Sequence, residues 1–198
     1  MSGEELAEDR LAPGRLLVAG PGLVDPNFAR TVVLLLHHDE GGSLGLVLNR
    51  PSELALSEPL PQWTGLAAPP AVIFVGGPVG SSSAVGLALG SGDFPPLEKE
   101  AGEEFFRPVV GRLGTVDLTT DPEHVADRLE SLRVFAGCAG WAPGQLAGEL
   151  DRGGWLVVEG HPEDAVAANP SELWKAVLRR QGGRLAILAA YPEDPSAN

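Results

Sequence analysis

Cysteine, methionine and tyrosine occur once each in the 198 residues, and lysine plus arginine number only 14 against 27 aspartates and glutamates. A single thiol excludes an intramolecular disulfide, and with only four histidines the chain also cannot build a cysteine-rich metal site. The shortage of cations leaves a formal net charge of −13. A surface of that sign repels phosphate backbones and anionic lipid, so direct DNA binding is disfavoured and no membrane partner is expected. Long apolar runs are missing too: Val32 to Leu36 and Leu185 to Tyr191 are the longest, far short of a bilayer span. The first residues, with Glu4, Glu5, Glu8 and Asp9, lack the basic and apolar regions of a secretion signal, which makes the cytoplasm the expected compartment.

What is present is ordinary for a folded domain, with 43% hydrophobic and 21% charged residues in a length that suits one core. The 26 glycines and 18 prolines imply many turns. Residues 1–13 are acidic, without apolar periodicity, and end at Pro13-Gly14; they read as a disordered tail preceding a single domain over 14–198. Leu16 to Ala19 reads as a short strand. Thr31 to His38 and Ser43 to Asn49 read as a hairpin joined by Asp39-Glu40-Gly41-Gly42, with Pro51 stopping the second strand. Leu54 to Trp63 has two prolines and room for one helical turn. Ala71 to Val75 reads as a buried strand pairing with Val85 to Leu89. Ser91 to Glu104, with Pro95-Pro96 and five acids against Lys99, reads as a solvated, disordered loop. Phe105 to Val110 and Arg112 to Leu118 look like two further strands.

Three helices are expected. The first starts at Asp121 as cap with Pro122 in the first helical position, and Val125, Leu129 and Leu132 fall on one face at i, i+4, i+7. Val134 to Gly137 is strand-like. A second helix spans Pro143 to Arg152 and ends at Gly153-Gly154. Trp155 to Glu159 reads as a strand. The third helix follows Asn169-Pro170-Ser171-Glu172, carries Leu173, Trp174, Val177 and Leu178 on one stripe, and stops at Gly182-Gly183. Strands first, then helices interleaved with strands, favour a single α+β domain with a mostly antiparallel sheet.

No motif of established chemistry is complete. Gly76-Gly77-Pro78-Val79-Gly80 follows a strand, and glycine loops can aim backbone N–H groups at an anion. Yet no Gly-Lys-Ser/Thr follows and Pro78 removes a donor, so a tight bend is the simpler reading. His37, His38 and Asp39 end a strand; adjacent strand residues face opposite ways, so the two histidines cannot share a metal. No Gly-x-Ser-x-Gly is present. Cys138 has no charged neighbour in sequence to lower its pKa and reads as a small hydrophobe. In Gly140-Trp141-Ala142-Pro143-Gly144-Gln145-Leu146, a strand end, an aromatic and a helix start coincide, and Gln145 and Glu149 share a helical face. Trp141 there either plugs the core or stacks on a ligand. Arg179, Arg180, Arg184 and Lys175 are accounted for by the dipole of their own helix.

Taken in order, Leu17-Val18-Ala19, Asp25-Pro26-Asn27-Phe28, Arg30-Thr31-Val32-Val33, His38, Gly45 to Pro51, Gly76 to Val79 and Gly140-Trp141-x-x-Gly144-Gln145-Leu146-x-x-Glu149 resemble the bacterial AlgH/YqgE family. The Asp194-Pro195-Ser196-x-Asn198 ending resembles its actinobacterial members. The resemblance implies a bifurcated, mostly antiparallel sheet that includes a small closed barrel and is surrounded by helices. It implies no catalytic residues, because the family is essentially uncharacterised, although some members are described as transcriptional regulators. Proteobacterial members tend to carry Cys-Glu-His where this chain has Leu36-His37-His38, so a thiol role there is lost while His38 stays. Cys138 occupies a position where tyrosine is usual.

The expected function is therefore a non-enzymatic module that binds a small ligand or a protein, with a regulatory, transcription-related role. Its candidate site gathers Asp25, Asn27, His38, Asn49, Arg50, Gly76, Gly77, Trp141 and Gln145 into one concavity, since loops at strand ends are where ligands bind. No cofactor and no metal are expected. The alternative is a hydrolase acting on a phosphorylated or acylated small molecule, with His38 as general base and Arg50 as anion clamp.

Overall fold

The unbroken apolar runs come from strands covered on both faces. A computed structural model describes residues 11–92, 97–98 and 104–191. Its first strand, β1 (Arg15–Ala19), lies between β2 (Val32–Asp39) and β11 (Trp155–Glu159), antiparallel to both. Side chains alternate across a strand, so Leu16 and Val18 enter one core while Leu17 and Ala19 enter another. The same division places Val32, Leu34 and Leu46 in the first core and Val33, Leu35 and Val47 in the second, the strand β3 (Gly42–Val47) completing the hairpin. Each such Leu or Val is worth about 1.5–3 kcal/mol of burial. Both faces being spent, no polar residue can interrupt the run.

The first core is closed by Trp174, Val177 and Leu178 of helix α2 (Leu173–Gln181), and Trp174 donates its indole N–H to the Ala19 carbonyl at 2.9 Å. Gly182, at φ +69°, ends α2 as expected, but a further short helix α3 (Gly183–Leu188) begins at once and adds Leu185 and Leu188 to the core. The second core lies under helix α1 (Gln145–Asp151), through Leu146, Trp141 and Trp155. Leu11 belongs to it and is buried, so the chain is already ordered before Pro13; the tail expectation for residues 1–10 lies outside the described residues.

The spine is β10 (Leu129–Trp141). One flank pairs along its length with β6 (Val79–Gly90). The other is shared: residues 139–141 pair antiparallel with β3, and residues 135–136 pair parallel with β5 (Val72–Val75). β5 also carries β4 (Pro51–Ala55), a strand that opens on the proline expected to end one. Proline fits there because β4 pairs on one side only. Beyond β6 come β9 (Leu113–Val116), β8 (Glu104–Val110) and β7 (Leu97–Glu98). The expected solvated loop between Ser91 and Glu104 otherwise lies largely outside the described residues.

The result is an α+β domain with a bifurcated, mostly antiparallel sheet curled into a half-barrel. The small closed barrel is not formed. The ladder runs from β11 to β7 with no pairing between these ends among the described residues, because β5 and β3 fork from the same flank of β10 instead of continuing round. The expected pairing of Ala71–Val75 with Val85–Leu89 is also absent: β10 lies between them and pairs with both.

The helix expected from Asp121 is two 3₁₀ turns, Pro122–His124 and Ala126–Arg128, followed by the start of β10. The cap is made, Asp121 Oδ1 accepting the Glu123 N–H at 3.0 Å. The helical spacing of Val125, Leu129 and Leu132 arises differently. A register shift between Leu129 and Ser131 inserts a residue, and it brings Leu129 and Leu132 into the same core with Val125.

Candidate functional site

The turn at residues 25–31 is organised by short polar side chains. Asp25 Oδ1 accepts the Asn27 N–H at 2.8 Å, and Thr31 Oγ1 donates to the Phe28 carbonyl at 2.8 Å. Asn49, just past β3, then acts as a surrogate strand residue. Its Oδ1 accepts the Val32 N–H at 2.9 Å and its Nδ2 donates to the Arg30 carbonyl at 2.9 Å. Arg50 reaches the same turn with Nη2, which donates to the Ala29 carbonyl at 2.7 Å.

The bend at Gly76-Gly77 is pressed onto β10. Gly76 donates its N–H to Ala136 and accepts from Val47, both at 2.8 Å. A Cβ at Gly76 would strike the Gly137 carbonyl, and one at Gly77, where φ is +151°, would strike the Cys138 backbone. These glycines are there for strand-to-strand contact, and the space an anion would need beside Gly76 is filled by protein. Gly77 and Pro78, with Pro26, Asn27, Val47, Arg50, Pro51 and Val75, do line a concavity of about 250 Å³. Arg50, half-buried, has no carboxylate partner among the described residues.

His38 lies elsewhere. It lines a cavity of about 400 Å³ with Asp39, Glu40, Gly42 and Ser43 from the hairpin, facing Ala142, Gly144, Leu146 and Ala147. Its Nδ1 is 2.7 Å from Ser43 Oγ, across the β2–β3 register. His37 makes a different contact, Nε2 to Asp39 Oδ2 at 2.8 Å, and Asp39 also accepts the Gly41 N–H. The His37 hydrogen bond first, and the Gly41 N–H second, hold the Asp39 carboxyl below its ordinary value of 3.8.

Trp141 is 5% exposed and belongs to the core. It packs against Phe28 and Trp155, with ring centroids 6.1 and 5.9 Å away. Its indole N–H donates to Glu149 Oε2 at 3.0 Å, and that of Trp155 donates to the same oxygen at 2.8 Å. Gln145 Nε2 donates to Glu149 Oε1 at 3.0 Å while its Oε1 accepts the Ala142 N–H at 3.1 Å. Trp141 and Gln145 thus brace the α1 region, with Glu149 as their hub.

The nine expected residues therefore do not meet in one concavity. Asn27, Arg50 and Gly77 share the first and His38 lines the second, while Asp25, Asn49, Gly76, Trp141 and Gln145 line neither. The two cavities have no lining residue in common, so Arg50 is not the anion clamp for a base at His38. A third, open and mostly apolar groove of about 420 Å³ runs between Leu54, Leu60 and Ile73 and the serines 81–83.

Sequence reasoning passed over Arg133, although an arginine inside Leu132-Arg133-Val134-Phe135 is a visible anomaly. It is 2% exposed and donates to the carbonyls of Ala165, Pro69 and Ala167. Its guanidinium stacks 4.2 Å over Phe74, Nε has no partner, and burial pulls its pKa down to about 10. The Cys138 thiol is pushed up by burial, the opposite of an activated thiolate. Among the described residues no three His, Cys, Asp or Glu side chains cluster as metal ligands, and no helix is long and apolar enough to cross a membrane.

Comparison with known proteins adds a family. The AlgH-like family model, DUF179, matches residues 16–186. The chain belongs to the AlgH-like family. Relatives of that group named only as UPF0301 proteins are 52% identical in Streptomyces avermitilis and 50% in Streptomyces coelicolor, over the whole of both chains. Among solved structures, a Corynebacterium diphtheriae protein of 32% identity superposes with a TM-score of 0.84, covering 91% of this chain and 93% of that one. AlgH of Pseudomonas aeruginosa, also 32% identical, gives 0.64 over 92% and 95%. The AlgH-like proteins compared carry no stated activity in these names, so function has to be argued from the site.

Proposed function

We propose that this AlgH-like protein is a binding module whose ligand presents an anionic group, carboxylate or phosphate, to Arg50 in the concavity between Asn27 and Gly77-Pro78. One observation carries the reading: on a chain of net charge −13, Arg50 is half-buried in a concavity, spends one bond on a carbonyl and meets no carboxylate among the described residues. Guanidinium geometry suits bidentate recognition of planar or tetrahedral oxyanions. The walls are proline, valine and glycine, which lose little freedom when a ligand docks, and they hold no nucleophile or base. This favours binding over chemistry at this place. A regulatory, transcription-related role then works through ligand occupancy rather than direct DNA contact, given the sign of the net charge.

The test is a thermal-shift titration of the full chain with inorganic phosphate, citrate and malonate, with Arg50→Gln as the comparison. A ligand that binds only the folded state raises the melting temperature. A rise in the wild type that is lost in Arg50→Gln supports the reading. An equal rise in both, or none in either, overturns it.

A further inference from the structure

We propose that Ser43 and His38 form a nucleophile–base pair that accepts an acyl group from a small uncharged ester. The inference concerns the second cavity and does not rest on the reading of Arg50. Ser52 and Ser91 donate their hydroxyl protons to the carbonyls of Ile73 and Arg128, which can only hold them. The Ser43 hydroxyl instead meets an imidazole nitrogen at 2.7 Å, a group that can take the proton away. With the ring proton on Nε2, Nδ1 is the acceptor.

Position strengthens the case. Ser43 stands on β3 between His38 of β2 and Trp141 of β10, so both neighbours are fixed by sheet pairing. A cross-strand tie needs no cavity, yet this pair forms one wall of a space of about 400 Å³. Asp39 and Glu40 lie on the hairpin side, and Leu146 and Ala147 face them. Carboxylates at the site repel phosphate esters and other anions, while the apolar wall suits a short acyl chain. The same lining that admits an acyl ester thus rejects a phosphoryl substrate.

The step is an ordinary acyl transfer. Ser43 Oγ bonds to the ester carbonyl carbon as its proton passes to His38 Nδ1. The ester C–O bond then breaks and the leaving alcohol takes that proton. Water, deprotonated by His38, later attacks the acyl-serine, releasing the carboxylic acid and restoring the hydroxyl. Asp39 is engaged by His37 and does not orient the His38 ring, so acylation is expected to be slow and best read as a stoichiometric adduct.

Full-length protein is incubated with 4-nitrophenyl acetate and, separately, 4-nitrophenyl phosphate, and adducts are located by peptide mass mapping. The expected result is acetylation of Ser43 with one equivalent of nitrophenol. It is lost in Ser43→Ala, slowed at least about a hundredfold in His38→Gln, and unchanged in His37→Ala. No phosphoryl adduct is expected. If Ser43→Ala does not fold, Ser43→Cys carries the test, because its thioester should form at residue 43 and slow with His38→Gln. Absence of an acyl group on residue 43, equal labelling when His38 is replaced, or phosphorylation as fast as acylation each overturns the proposal.

Discussion

Arg133 and Arg50 are both arginines on strands or strand ends, both reach backbone carbonyls, and both lack a carboxylate partner among the described residues. They differ in what remains to be bonded. Arg133 is enclosed, spreads three hydrogen bonds over two loops, and lies on Phe74. Arg50 spends one bond and lines a concavity. A polar side chain walled in by its own fold is a brace, even with one donor unmet as at Arg133 Nε, whereas one with donors left over beside an open space is where a ligand belongs. The same test separates Asn49 and Glu149, whose bonds tie segments of the fold together, from His38, which shares a cavity wall with Ser43.

Stability measurements can break that distinction. Arg133→Ala should be the most damaging change, costing about 4 kcal/mol in urea unfolding, because three carbonyls lose their donor and a large buried volume empties. A loss below about 1 kcal/mol would mean those loops hold themselves. Glu149→Ala comes next, at about 2–3 kcal/mol, since two indole N–H groups lose one acceptor. It should also alter the near-ultraviolet circular dichroism of the tryptophans. Asn49→Ala should cost about 2 kcal/mol by stranding the buried Val32 N–H. Arg50→Gln should cost no more than about 1 kcal/mol, the worth of one hydrogen bond, while abolishing the anion-induced thermal shift.

The smallest effect sharpens the comparison from the surface. The folded Asp39 carboxyl is depressed, so its contribution is present above the unfolded value and is lost as pH falls through the folded one. His37→Ala removes the larger cause, and the Asp39 titration followed by NMR should move up toward its ordinary value of 3.8. Stability should fall slightly near neutral pH, and the difference should vanish in acid, where the Asp39 carboxyl is protonated in both proteins.

Much of the fold was legible where local and global signals agreed. The hairpin of β2 and β3, with β1 and β11 beside it, announces itself because strands covered on both faces have no polar positions to spare. The segment at 121–132 misled because a bulge in β10 reproduces helical spacing in an extended chain. The mispairing of β5 had another source: the strand that separates it from β6 lies some forty residues further on. The site was half legible. Turn residues and the His38 position could be picked out by type. That Asn49 caps β2, that Gly76 abuts Gly137, and that Glu149 ties two tryptophans depend on register between distant segments, which spacing along the chain does not encode.

The forked spine also dictates an order of assembly. As the chain leaves the ribosome, β1, β2 and β3 can pair at once, as can β4 with β5 and β6 with β9, but these groups are joined only by a strand that begins at Leu129. Contacts of such long sequence separation form slowly, and unpaired edges exposed meanwhile invite association with other chains. Any truncation ending before that strand should leave small separate ladders with unclaimed edges, so the two branches are joined in one event or not at all.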